Sequence, residues 1–425
     1  MTASVSPYSA RQTKMKKLPL TDEQNYIFDA NEKTKGISYN ISFEIRFSRH
    51  FPTDRLRSAV EKCLLSADIS GARCLVDGDQ KYMVFLPPTA PNIEAYHFPS
   101  AEQYQEFCDS VPEEKINNTD QLLHVFIYSI GDSFNNLRFC FNHLIFDGIS
   151  GIILYEKVQK ALLDEHSEIR WHPFSPYLEK IDRHKAGEDY VADQTFWETQ
   201  FSELSTCEHV FKDVIEIEAA DASGLDFQLG KEFKTELLHY CNQKGVSSYV
   251  VIASAFAELV AKKFGHKRFS MEIPIGNRSG KEKIESLGAY EASVPFVFDF
   301  NRHPTLDQII NSTQKQSKQL YRHRHFDWNN KIFSAPYIEK YGQCAPQILF
   351  SYFCFNKNSS LGFSTVHHTH SNTCNFPINL YISDYLAHEK MNFYYVFWGQ
   401  HIPPATIIEL QNELEASLIK ISQSK

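Results

Sequence analysis

The residues best suited to chemistry sit in one run, Asn142-His143-Leu144-Ile145-Phe146-Asp147-Gly148. An imidazole titrates near neutrality, so His143 can take a proton and return it within one reaction. Such a group assists an amine or hydroxyl as it attacks an acyl carbon. The oxyanion formed needs hydrogen-bond donors. Gly148, just ahead of a helix and without a side chain, can offer a backbone N–H. The HxxxD spacing is weak by itself, and a chain with 18 His shows it by chance at about one or two places. The plain alternative is a histidine packed at a strand end and an aspartate capping a helix.

The elements around this run must position it. Residues 137–144 read as a strand, with Leu137, Phe139, Phe141 and His143 on one face and Arg138, Cys140 and Asn142 on the other. His143 then stands at the strand's end, where the chain turns through Asp147 and Gly148 into a helix from about Ser150 to Leu163. Cys140, on the opposite face, is badly placed for a Cys–His nucleophilic pair. Residues 122–130 pair with this strand as a hairpin across the polar turn 131–136. Earlier, residues 38–47 alternate as a strand, and 53–65 have helical spacing with Thr53 or Asp54 as cap. Residues 80–85 read as a strand and 101–111 as a helix.

Residues 171–204, with Pro173, Pro176 and a helical patch at 190–201, read as a connector. The cycle then restarts, with helices at 231–244 and 247–264 and strands at 269–274, 292–298, 347–355, 376–382 and 391–397. A closing helix at 404–421 opens on Pro403 and Pro404, where a helix start tolerates proline. The division is a loose leader 1–17, a first α/β half 18–170, a connector 171–205 and a second α/β half 206–425.

Composition narrows the function. The 425 residues carry a net charge of −9, which disfavours nucleic acid as the main partner. Nine scattered cysteines with no CxxC read as reduced thiols of a cytoplasmic protein. The leader lacks the apolar core of a secretory signal, and the most apolar stretch, 249–260, is too short to span a bilayer, so no membrane is expected. His367, His368 and His370 form a VHHTH cluster, but no Cys or carboxylate spacing completes a metal site, and the segment reads as a polar loop; no metal is expected. Arg322, His323, Arg324 and His325 form a basic knot, read as a solvated face rather than an anion site. There is no GxSxG, Walker A or GxGxxG pattern.

The 142–148 run resembles the HHxxxDG signature of the condensation domains of nonribosomal peptide synthetases, and its surroundings resemble that family in the same order. PLTDEQNYIF at 19–28 resembles the family's opening segment, and Tyr39-Asn40-Ile41 its first strand. Residues 53–74 resemble the helix and strand bearing RHExLRTxF, and Tyr177 with Phe196-Trp197 the connector's aromatic marks. Residues 249–278 resemble the long helix, strand and Gly-Arg turn, and 287–296 the GxFVNTxPL loop. Residues 325–328 resemble the HQDYPFE-type segment, and 376–380, 393–397 and the last helix the closing elements. The resemblance runs over about 18–421.

The resemblance implies two chloramphenicol-acetyltransferase-like α/β subdomains arranged as a V with a channel between them. It makes His143 and Gly148 the candidate catalytic residues. Asp147 is the structural aspartate, paired with Arg278 from the second half, and Asn142 stands where the first His is usual. Ser150, Tyr290 and Ser351 are candidate channel residues. No cofactor is bound; substrates arrive on phosphopantetheine arms of acyl or peptidyl carrier proteins in trans, and the acceptor is a small amine or alcohol. No carrier or adenylation segment is apparent, which suits a free-standing condensation enzyme of natural-product biosynthesis. Ala67, Gly71 and Ala292 depart from the family pattern and point to an unusual substrate. The competing readings are epimerisation, cyclisation or coenzyme A-dependent transfer on the same fold, and a non-catalytic carrier-docking module.

Overall fold

The computed structural model describes residues 16–110, 114–131, 134–212, 220–342, 345–355, 364–368, 373–385 and 390–423. Its apolar side chains gather into two large cores. One is built from residues between Leu18 and Ile181, the other from residues between Trp197 and Leu418. The chain therefore folds as two lobes. The connector is not a linker but two helices, one per core. Helix Ser175–Lys185 sends Tyr177, Leu178 and Ile181 into the first core, and Glu188–Leu204 sends Trp197, Phe201 and Leu204 into the second. Most of the expected leader, residues 1–15, lies outside the described residues, but Lys16 and Lys17 belong to a strand paired with Val84 and Phe85.

The first lobe holds a five-stranded sheet in the order Ser364–His368, Asn40–Phe47, Phe134–Asn142, Leu123–Ile130, Ile93–Phe98. The hairpin of Leu123–Ile130 and Phe134–Asn142 is antiparallel, with Phe139 opposite Val125. Its second strand starts earlier than the sequence suggests, at Phe134, so the turn is shorter. Helix Thr53–Leu65 matches the helical spacing, but its N-cap is Pro52, with no side-chain capping bond from Thr53 or Asp54.

The second lobe holds a seven-stranded sheet in the order Glu291–Asp299, Arg268–Gly276, Ile348–Phe355, Ile378–Tyr385, Met391–Trp398, Ala220–Leu229, Thr373–Cys374. Helix Ser248–Phe264 lies in the core behind it, begun by the Ser247 hydroxyl on Val250 N and ended by Gly265 in the left-handed region. The pleat gives this sheet two characters. Phe269, Met271, Ile273, Val294, Phe296, Ile348, Phe350, Ile378 and Leu380 enter the core. Glu272, Ser293, Glu291, Ser351 and Tyr381 occupy the opposite face.

The lobes exchange parts. Leu287 and Tyr290 of the second lobe belong to the first core. The segment expected to be a polar loop supplies the strand Ser364–His368, antiparallel to Asn40–Phe47, with Ser364 opposite Phe47 and His368 opposite Phe43. That strand pairs with backbone groups of an otherwise open sheet edge. The Tyr155 hydroxyl donates to the Ser364 carbonyl (3.0 Å) and fastens it to helix Gly148–Leu163. His367 and His368 thus lie on a strand, and His370 lies outside the described residues. Among the described residues no group of three or more His, Cys, Asp or Glu is placed to hold a metal ion. No single described helix is long and apolar enough to cross a membrane.

Candidate active site between the lobes

His143 leaves its strand. The ladder ends at Asn142, and residues 143–145 form a turn. Phe139 and Phe141 go into the apolar core, and strand parity does not carry on to His143 because the backbone has already turned. The turn is held from four sides. His143 N donates to the Tyr39 carbonyl (2.8 Å), Asn142 N to the Leu122 carbonyl (2.9 Å), Ile145 N to the Asn142 carbonyl (3.1 Å), and the Gln24 amide to the Leu144 carbonyl (2.7 Å). Tyr39 takes φ 59°, an uncommon conformation for a bulky residue, which these contacts hold in place.

Asn142 shows why asparagine serves here. Its Oδ1 accepts from Leu144 N (2.9 Å) and its Nδ2 donates to Asn40 Oδ1 (3.3 Å). The side chain is fully buried and folded over the turn, so it fastens the backbone on which His143 stands. His143 itself is half-buried. Its Nδ1 is sealed from solvent with no hydrogen-bond partner among the described residues, and the ring packs edge-on to Tyr39 at 6.4 Å.

Asp147 caps helix Gly148–Leu163, its Oδ1 accepting from Ser150 N (2.8 Å). The same carboxylate takes two bonds from Arg278 of the second lobe, Nη2 to Oδ1 (2.8 Å) and Nε to Oδ2 (3.1 Å), and one from Tyr290 N (3.1 Å). Burial alone would raise the Asp147 pKa; the Arg278 charge and these four bonds outweigh it and hold the carboxyl below its ordinary value. Arg278 is satisfied all round, by the carbonyls of Lys283, Ser286 (2.8 Å) and Gly288 (3.0 Å) and by the Ser150 hydroxyl (2.6 Å), with its guanidinium 4.3 Å over the Tyr290 ring. Both partners have side chains only 4 % exposed. This is a latch between the lobes, one turn away from His143.

Two expected channel residues belong to this latch instead. Ser150 is fully buried, its hydroxyl donating to the Gly288 carbonyl (2.9 Å) and accepting from Gly288 N (3.0 Å). Tyr290 is 1 % exposed, packed on Phe174 and Tyr177, with its hydroxyl on Ser286 Oγ (2.8 Å). A buried guanidinium must have every donor met; that need claims the Ser150 hydroxyl, while the Tyr290 ring lies under the guanidinium. Gly148 opens the helix at the lobe junction, where a Cβ would come within 3.1 Å of the Phe353 ring from the second lobe. Ser351, two residues before Phe353, shares its sheet face.

The second lobe and the first helix bring up carboxyls that the sequence reading missed. Glu291 is close enough for the His143 charge to act on it, and burial is the main cause that lifts its pKa. Glu272 shares its sheet face but lies four residues along the strand from Gly276, the register partner of Glu291, and is lifted from 4.5 to about 7 by burial and by Glu291. Glu23, from helix Asp22–Lys33 of the first lobe, is raised well above its ordinary value by burial and by both of these acids. Glu23 and Glu291 are half-buried. They line one cavity of ≈ 30 Å³ with Ser293, Arg324, His325 and Asn329. The alternation of Glu272, Ser293 and Glu291 with core residues was visible in the sequence. Which face met the other lobe was not.

The basic knot divides. His323 Nδ1 bonds Asp193 (2.7 Å), Arg324 bonds Asn277, and His325 is pushed down to about 3 by burial and by the Arg324 charge. Only Arg322 is exposed, beside a second cavity of ≈ 470 Å³ on the helix side of the Arg268–Gly276 strand, lined also by Tyr249, Lys318 and Tyr352. A solvated face was the wrong reading for the other three.

A buried-ion latch between two α/β lobes, beside a turn-mounted histidine, is the frame the resemblance implied. The condensation-domain family profile matches residues 14–421. The chain belongs to the condensation-domain family. Its fold is close to the first condensation domain of the calcium-dependent antibiotic synthetase in complex with a substrate analogue, with TM-score 0.78, 13 % identity and coverage of 96 % of this chain and 97 % of that one. It is also close to the epimerization domain from the third module of tyrocidine synthetase B, with TM-score 0.76, 15 % identity and 96 % of each chain covered. In sequence it is 21 % identical to surfactin synthase subunit 1 of Bacillus subtilis (strain 168) over 219 residues, which are 51 % of this chain and 6 % of that protein. The condensation domain thus spans a small part of that synthase. Condensation domains form amide bonds by acyl transfer, and this chain has their fold of two chloramphenicol-acetyltransferase-like lobes in a V.

Proposed function

We propose that this condensation domain joins an acyl or peptidyl group, presented as a thioester on the phosphopantetheine arm of a carrier protein, to an amine or alcohol. The reading rests above all on His143. Its imidazole stands on a turn fastened from four sides, beside the latch between the two lobes and within electrostatic reach of Glu291. A thioester is already activated, so holding the two reactants together supplies much of the acceleration. His143 takes or relays the nucleophile's proton, which matters most for an alcohol. Carrier-borne substrates are a natural fit for a family that accepts thioesters.

The test is intact-mass detection of product on loaded carriers, comparing wild type with His143→Ala. We expect the variant to slow by about 10²–10⁴-fold while unfolding at the wild-type temperature, because it removes a ring nitrogen that has no partner. Equal rates would remove His143 from the mechanism. A second reading, epimerisation, is favoured by the His143 charge acting on Glu291. An imidazole and a carboxyl on opposite sides of a substrate are what proton exchange at a carbon requires. Deuterium entering a carrier-bound aminoacyl group from heavy water, without any condensed product, would select it.

A further inference from the structure

The cavity of ≈ 470 Å³ in the second lobe has no part in the chemistry assigned to His143. Its volume is that of a small-molecule site, for which about 300–1,000 Å³ is usual. Pro274, Ile275 and Gly276 line it, and their register partners Ser293, Ala292 and Glu291 line the smaller cavity. The two cavities thus touch one pair of strands at the same level. A Cβ on Gly276 would lie 3.8 Å from Ile149, in the first turn of the helix that Asp147 caps. The cavity stands at the carboxyl ends of the parallel neighbours Arg268–Gly276 and Ile348–Phe355. Open α/β sheets commonly take ligands at such ends.

Tyr249, Tyr321 and Tyr352 wall the cavity. Tyr352 is fixed in place. Its hydroxyl donates to Asp384 Oδ2 (2.7 Å) and shares a bond with Ser248 Oγ (2.7 Å), and Asp384 pairs with Lys234 (2.6 Å). Tyr249 packs on Tyr352 with ring centroids 6.2 Å apart. Tyr321 carries the Arg324 guanidinium 3.9 Å over its ring, and Arg324 is itself held by Asn277. Helix Leu306–Arg322 adds Ser317, Lys318 and Arg322 beside Tyr321, a spacing that puts all four on one face. Lys318 and Arg322 are exposed and have no hydrogen bond or ion pair among the described residues. No acidic side chain lines the cavity. Like charges one turn apart repel, so this rim is short of an anion.

We propose that this cavity binds a nucleoside phosphate. The base lies among the tyrosine rings, and Lys318 and Arg322 hold the phosphate at the mouth. Two cations without an acid of their own suit a doubly charged phosphate better than a single carboxylate. Tyrosines, rather than phenylalanines, suit a flat ring with polar edges, which stacking holds whatever its identity. The site is separate from His143 and does not depend on acyl transfer. A free nucleotide and the nucleotide end of coenzyme A both present this base, ribose and phosphate.

The test is calorimetric titration of adenosine monophosphate, adenosine, inorganic phosphate and coenzyme A into wild type, Tyr321→Ala and the double variant Lys318→Gln with Arg322→Gln. Wild type should bind adenosine monophosphate about tenfold more tightly than adenosine, through charge-assisted bonds to the phosphate. Inorganic phosphate should bind about tenfold more weakly than the nucleotide, because it brings no base to stack. The double variant should lower the nucleotide to the affinity of adenosine and leave adenosine unchanged. Tyr321→Ala should weaken both by about tenfold. All three positions are exposed, and melting curves show that the variants are folded. A nucleotide no tighter than adenosine, phosphate as tight as the nucleotide, or no loss in the double variant overturns the site. Coenzyme A that displaces the nucleotide and weakens in the same variants assigns the site to coenzyme A thioesters. Nucleotide binding that coenzyme A does not displace assigns it to a free nucleotide.

Discussion

At the scale of single residues, the environment decides what each titratable group is for. Asn142 occupies a signature position with an uncharged amide and uses it to bond the turn, which explains how the site stands without a second histidine. Asp147 and Glu272 are both buried acids with opposite fates. One meets a guanidinium and is held below its ordinary pKa; the other is lifted to about 7 by burial and by Glu291. The pH consequence follows from the raised value. The native state binds the Glu272 proton more tightly than the unfolded chain does, so that stabilisation is complete below pH 4.5 and is lost as pH rises through about 7. Glu272→Gln should therefore gain on wild type by roughly 2–3 kcal/mol between pH 5 and pH 8 in urea unfolding. A stability difference that is the same at both pH values would show that Glu272 is ionised throughout.

At the scale of elements, the latch joins a helix start to a loop. Asp147 caps helix Gly148–Leu163 and, through Arg278, ties it to the 278–290 loop of the second lobe. Removing one member leaves a buried charge unpaired, so Arg278→Met should cost about 3–5 kcal/mol. The double variant with Asp147→Asn should cost less than the sum of the singles in denaturant unfolding; additive costs would mean that the two side chains act separately. Because Asp147 lies below its ordinary pKa, the pair's contribution is present above the ordinary carboxylate range and lost as pH falls through the lowered value. Gly288 is as demanding. A Cβ there would stand 2.2 Å from Phe174 and 2.8 Å from Tyr290, so Gly288→Ala should destabilise by about 1–3 kcal/mol through overpacking. A melting temperature equal to wild type would show that Phe174 can move aside.

At the scale of the whole molecule, two cores share material. Leu287 and Tyr290 cross into the first core, and the Ser364–His368 strand completes the first sheet. Lobes joined in this way should unfold together. Calorimetry should give one transition for wild type. Thr365→Pro should split it into two, because proline removes a donor and cannot sit comfortably opposite Arg46 in the ladder. A single transition in the variant would mean that the latch alone couples the lobes. This coupling bears on function: the turn that carries His143 runs straight into the helix that the latch ties to the second lobe.

Periodicity was sufficient for the regular elements. Helix Lys231–Lys244 and strand Met391–Trp398 follow from local spacing, because a stripe or an alternation of apolar residues has one economical way to be buried. Residues Asn142 to Gly148 were also legible, since their chemistry is written in seven consecutive letters. The rest lies between segments far apart in the chain. Ser150 and Tyr290 looked like channel residues until a buried guanidinium claimed them, and a polar stretch became a strand because a distant sheet edge needed a partner. Glu23, Glu272 and Glu291 are ordinary surface residues in sequence, and only the tertiary structure, by burying them, lifts their pKa values.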